Sequence, residues 1–141
     1  MIVLDTNVLS ELMRRRPAAR VVRWVDGQDA SGLAITAVTV AELLYGVARL
    51  ADGARKTELA AAVDALVRED FAERVLSFDV ASAEHYADLV AERDRHGRPI
   101  STADGQIAAI CRSHHARLAT RNVRDFGEVG IEVIDPWAPA T

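Results

Sequence analysis

Cysteine is almost missing from this chain of 141 residues. Cys111 stands alone, so no internal disulfide holds the fold, and a reducing compartment suits it. Lysine is equally scarce: of 17 basic residues only Lys56 is a lysine, and the rest are arginines. No apolar run approaches the roughly 18–20 residues of a membrane span. Arg14, Arg15 and Arg16 follow the first apolar run rather than precede it, the reverse of a secretory signal. The chain is therefore expected to be soluble and cytoplasmic, with no membrane partner. The histidines are few, and His85, His96 and the pair His114-His115 form no metal-ligand spacing. Repeats, linkers and low-complexity segments are also lacking.

What is present is a hydrophobic half, enough for a real core. The length suits one domain over residues 1–141. The formal net charge of -4 speaks weakly against nucleic acid as a substrate, because phosphate attracts Lys and Arg. Yet the arginines cluster at 14–23, 93–98 and 112–124. Arginine bonds phosphate bidentately, so each cluster is either a solvated surface or a phosphate contact.

Apolar patterning alternates between two periods. Short runs rich in β-branched residues predict strands at 2–5, 33–35, 75–78, 117–120 and 131–134. Helical spacing predicts helices at 7–14, 18–27, 39–51, 55–68, 81–95 and 102–113, with stops at Pro17, Gly27 and Asp52-Gly53 and a turn at Gly97–Pro99. Alternation of this kind predicts an α/β fold with a mostly parallel sheet covered by helices. The Ala-rich helices 39–51 and 55–69 read as a hairpin. It either projects as a partner or dimer surface or simply covers the sheet.

Four polar sites fall where strands end and helices begin. Asp5 ends the first strand, and in open α/β sheets that edge is where ligands bind. It also suits an N-cap. Glu42 lies three residues after Thr39, the spacing of a capping box. Asp104 sits in the first turn of a helix, where an acid complements the dipole. It also shares the stripe of Ile107, Ala108 and Cys111, and a carboxylate on an inward stripe is costly unless paired or bound to a metal. Thr120-Arg121-Asn122 and Asp125 follow the fourth strand, as an ordinary polar loop or as part of a site. A parallel sheet brings all four to one edge. Carboxylates gathered there repel one another without a cation, and an all-oxygen set suits Mg²⁺ or Mn²⁺ rather than zinc.

These stretches carry a resemblance. Val3-Leu4-Asp5-Thr6-Asn7-Val8-Leu9, then Thr36-Ala37-Val38-Thr39-Val40-Ala41-Glu42-Leu43-Leu44-Tyr45-Gly46, then Asp104, then Thr120-Arg121-Asn122 with Asp125-Phe126, resemble the PIN-domain ribonucleases. Among them the chain is similar to the VapC toxins of type II toxin–antitoxin modules, in the FitB-like branch, down to Ile134-Asp135-Pro136-Trp137. The resemblance implies a PIN-like three-layer α/β/α fold. It implies that Asp5, Glu42 and Asp104 hold Mg²⁺ and that RNA is hydrolysed by metal-activated water. The fourth site residue is Asn122 or Asp125, because members differ there. Thr6 and Thr120 match hydroxyls that line such sites, and Arg121 is a phosphate-contact candidate. It implies further a homodimer, higher toxin–antitoxin oligomers, inhibition by a VapB-like antitoxin, and DNA contact only through that antitoxin. Two other readings remain: a catalytically idle toxin half of an operator-binding complex, and a receiver-type domain phosphorylated on Asp5. The second wants another acid close behind Asp5 or a late lysine, and the chain has neither.

Overall fold

The apolar opening of the chain becomes the middle of a sheet. β1 (Ile2–Leu4) is buried on both faces and pairs in parallel with β2 (Leu33–Thr36) on one side and β4 (Arg117–Ala119) on the other. β3 (Val75–Leu76) extends the sheet beyond β2, and β5 (Val133–Ile134) extends it beyond β4. The order is β3-β2-β1-β4-β5 and every pairing is parallel. This structure, a computed structural model, describes residues 1–139. Ala140 and Thr141, the end of the unit expected over 1–141, lie outside the described residues.

Alternate strand residues feed two apolar layers. Ile2, Leu4, Leu33 and Ile35 face α1 (Thr6–Leu12), α2 (Ala19–Asp26), α3 (Ala37–Ala48) and α4 (Ala54–Ala65). Val3, Ala34 and Leu118 face α5 (Val80–Arg95) and α6 (Thr102–Ser113). The result is the expected three-layer α/β/α architecture. α5 and α6 approach closely because Gly105 has no side chain: a Cβ there would meet the Tyr86 ring at 3.0 Å and Val90 at 3.2 Å.

Caps explain where the helices depart from the sequence reading. α3 starts at Ala37, not Thr39, because Thr36 Oγ1 accepts the Thr39 N–H at 3.1 Å. Thr39 therefore does not form a capping box with Glu42, which lies in the second turn and is free for other work. The 55–68 helix ends as α-helix at Ala65 and closes in a π-helical turn, Leu66–Asp70. The α3–α4 hairpin does cover the sheet, through buried Leu43 and Val63, yet its outer side leaves Leu44 and Tyr45 bare. Among the described residues no helix is long and apolar enough to cross a membrane.

Candidate active site

In this strand order the chain reverses direction of growth between β1 and β4. Ligand sites of open parallel sheets lie outside the carboxyl ends of the strands at such a reversal. Asp5 leaves β1 there and Thr120 leaves β4. The two side chains meet across the gap: Thr120 Oγ1 donates to Asp5 Oδ2 at 2.7 Å.

Asp5 serves two purposes. Its Oδ1 accepts the Thr6 N–H at 2.8 Å, so the capping expectation holds. Its Oδ2 takes Thr120 and, at 3.4 Å, Asn7 Nδ2. The carboxyl is 4% exposed. Burial pushes its pKa up from 3.8 to about 6, against the pull of the Thr120 and Thr6 bonds, and the charges of Asp104 and Glu42 add to the rise.

Glu42 reaches over from α3, where its Oε1 accepts Thr6 Oγ1 at 2.7 Å. The Thr39 hydroxyl lies 3.0 Å from that of Thr6 and steadies it. Asp104 stands in the first turn of α6, whose cap is Ser101; Ser101 Oγ accepts the Asp104 N–H at 3.3 Å. Ile107, Ala108 and Cys111 on its stripe are fully buried, and Asp104 is half-buried at their rim. Burial raises its pKa, Ser101 opposes the rise, and the charges of Asp125 and Glu42 add to it. Beneath the site, burial first and then the charge of Asp5 push the Cys111 thiol up to about 12, which leaves it protonated and unreactive.

Asp5, Thr6, Glu42, Asp104, Arg121 and Asn122 line one cleft of about 470 Å³. Asp125 does not share it. It sits in the 3₁₀ turn Val123–Phe126, beside Ser101 and Arg93 in a smaller cavity on the other side of Asp104. Thr120 is fully buried below and accepts the Asn122 N–H at 3.0 Å and Asn7 Nδ2 at 3.2 Å.

Asn7, Ser10, Glu11, Arg14 and Trp137 also line the cleft, and the sequence reading made none of them a site residue. Glu11 is buried; the Ala18 N–H, at 2.9 Å, and Arg14, at 3.2 Å, hold its carboxyl below the usual range. The signal for most of them was available: Asn7, Ser10 and Glu11 form the polar side of one short helix, and Arg14 follows just beyond its end. Trp137 reaches the cleft by tertiary return of the tail, which no local pattern announces. One arginine expectation needs correction. Arg93 is 4% exposed and spends its guanidinium on backbone carbonyls: Nε on Arg98 O at 2.6 Å, Nη1 on Asp125 O at 3.0 Å and Gly127 O at 2.8 Å. It is a clamp inside the protein and not a phosphate contact.

The donor set of the cleft is carboxylate, amide and hydroxyl oxygen, the set of a hard divalent ion. Among the described residues no three His, Cys, Asp or Glu side chains close into a ready cage.

The raised carboxyl of Asp5 has a consequence for the metal-free protein. Between 3.8 and about 6 the folded chain holds a proton that the unfolded chain has released. Its stability is therefore expected to fall as pH rises through that window, by about 3 kcal/mol at most. Urea denaturation in EDTA across the window measures the slope, and Asp5→Asn is expected to flatten it.

The PIN-domain family matches residues 2–132. The chain is 42% identical over 140 residues to the VapC ribonuclease Y4jK of Sinorhizobium fredii, covering 99% of this chain and all of that one. It is 40% identical over 137 residues to the toxin FitB of Neisseria gonorrhoeae, covering 97% and 99%. A solved structure described as FitAB bound to an IR36 DNA fragment superposes with a TM-score of 0.94 at 38% identity, over 100% of this chain and 99% of that one. The chain belongs to the PIN-domain family, among the VapC ribonucleases and FitB-type toxins.

Proposed function

We propose that this chain cleaves unpaired RNA with the help of Mg²⁺ or Mn²⁺ held by Asp5, Glu42 and Asp104. The observation that carries the reading is the cleft itself. Three acids far apart in sequence line it, at the sheet's switch point, and burial and mutual repulsion raise two of them. A divalent ion bound there supplies Lewis-acid charge to the scissile phosphate and a nucleophilic water. The protein supplies the frame. Thr120 and the Thr6 N–H fix the rotamer of Asp5. Thr6, backed by Thr39, holds Glu42. Asn122, which lines the cleft, is the fourth site residue of this reading, and Asp125 acts on Asp104 through charge from outside it. Asp125→Ala is accordingly expected to cost roughly tenfold in rate, the range of an outer-shell partner, and much less than loss of Asp104.

The chain is proposed to work as the toxin half of a module with a VapB-like antitoxin. The likeness to a FitAB complex on DNA supports this, with DNA met through the antitoxin. Bare Leu44 and Tyr45 on the outer side of α3 support pairing with a second copy. The test is RNA cleavage by the purified protein freed of antitoxin, in Mg²⁺ or Mn²⁺ against EDTA. Cleavage that needs the metal is the expected result. Metal binding without cleavage of any RNA tried points to a narrow target. Absence of metal binding overturns the reading in favour of the idle half of an operator-binding complex.

A further inference from the structure

An acidic cleft that accepts a polyanion needs cationic help at its rim. Arg14 and Arg121 are its two cations among the described residues. Arg14 is already paired with Glu11 at 3.2 Å. Arg121 is exposed, and no carboxylate of the described residues is in ion-pair contact with it. Its guanidinium instead stacks over the Trp137 ring, 5.1 Å from the centroid. Stacking orients a guanidinium while leaving its in-plane N–H donors open to phosphate.

Trp137 is the sole aromatic side chain lining the cleft among the described residues, and it is anchored. Its backbone N–H donates to Asp135 Oδ1 at 2.9 Å and its backbone carbonyl accepts from Arg20 Nη1 at 3.1 Å. Pro136 before it is buried, and the indole packs on the α1–α4 side of the core while staying partly open. A partly exposed indole at the mouth of a polar cleft, on a backbone anchored at both its N–H and its carbonyl, offers apolar surface to an unpaired base.

We propose that Arg121 and Trp137 form a nucleotide subsite beside the acidic cleft. Arg121 bonds the phosphodiester next to the scissile one, and the base of that nucleotide packs against the exposed part of the Trp137 indole that Arg121 and the core leave free. The relation to cleavage rests on the ribonuclease reading above; the binding of unpaired RNA does not. The subsite selects single strands, because a base inside a duplex cannot reach the indole.

The two tryptophans of the chain are Trp24 and Trp137, so Trp24→Phe leaves Trp137 as the only indole reporter. A mixed-sequence single-stranded ten-nucleotide RNA is added to this variant in EDTA, which prevents metal-dependent cleavage. The expected result is quenching of Trp137 by the single strand and none by a duplex of the same length. In parallel, Trp137→Ala is expected to weaken binding of the single strand roughly tenfold, within the range for one stacked base, and Trp137→Phe to restore most of it. Arg121→Ala is expected to lower the slope of log Kd against log salt by about 0.7, one phosphate on a single strand. With metal present, both alanine variants raise KM more than they lower kcat. Absence of quenching, together with a KM unmoved by Trp137→Ala, overturns the subsite even if the protein cleaves RNA. Quenching by a protein that binds no metal and cleaves nothing sustains the subsite and removes the ribonuclease reading instead.

Discussion

Asp104→Ala is expected to leave a folded protein whose metal-dependent RNA cleavage falls on the order of a thousandfold, the scale on which active sites lose rate when a group stabilising transition-state charge is removed. The fold has little reason to notice. The cap of α6 is the Ser101 hydroxyl, which stays, and the buried stripe below Asp104 is apolar and intact. The carboxyl itself is held against burial and against the charges of Asp125 and Glu42. Its removal relieves repulsion in the metal-free chain, so the midpoint of thermal unfolding in EDTA is expected to stay or rise. The midpoint gained on adding Mn²⁺ should shrink, because an ion stabilises only the state that binds it. Rate and metal-induced stabilisation thus fall together while metal-free stability stays or rises. A variant that cleaved RNA at the native rate would exclude Asp104 from the chemistry whatever its stability.

The fold was legible because its signals are local. Short apolar runs and helical spacing placed all five strands and six helices within a few residues, and parallel pairing followed from their alternation. Boundaries slipped where a cap decided them: Thr36 and Thr39 are both plausible caps in sequence, and only the folded hydrogen bond to the Thr39 N–H chooses Thr36. The acids were legible for a related reason. Asp104 breaks an apolar stripe, and Asp5 ends a buried strand, so each violates a local pattern that packing alone would respect. Glu42 was harder, because a capping box explained it equally well until α3 proved to start earlier. Trp137 and Arg93 were illegible in their roles. What makes them matter is a partner far away in the chain: the cleft for Trp137, and the carbonyls of Asp125 and Gly127 for Arg93. Arg93-Asp94-Arg95-His96 looks like a solvated basic run in sequence, and nothing in its neighbourhood marks which arginine turns inward.

That distinction can be measured. Arg93→Met is expected to destabilise the protein by about 3–5 kcal/mol, the range found when a buried charged hydrogen-bonding group is taken from its partners. Methionine fills much of the stem's volume, so the loss falls on three carbonyls: Arg98 O in the α5–α6 turn, and Asp125 O and Gly127 O after β4. With Arg93 in place these two segments are tied to one guanidinium that is 4% exposed. Without it the three carbonyls lose the guanidinium that joins the two segments. Arg93→Lys should rescue little, because one ammonium cannot reproduce the planar fork that serves carbonyls in two directions. Arg95→Ala, two residues on and exposed, is the control, expected to stay within about 0.5 kcal/mol of the native chain. Urea unfolding of the three variants decides the matter for the clamp. Salt dependence of RNA binding decides the alternative: a phosphate contact would lower the salt slope and leave stability alone, whereas a clamp lowers stability and leaves the slope unchanged. Because the clamped segment carries Asp125 and not Asp5 or Glu42, the folded fraction of Arg93→Met is expected to retain metal binding, with cleavage reduced far less than by Asp104→Ala.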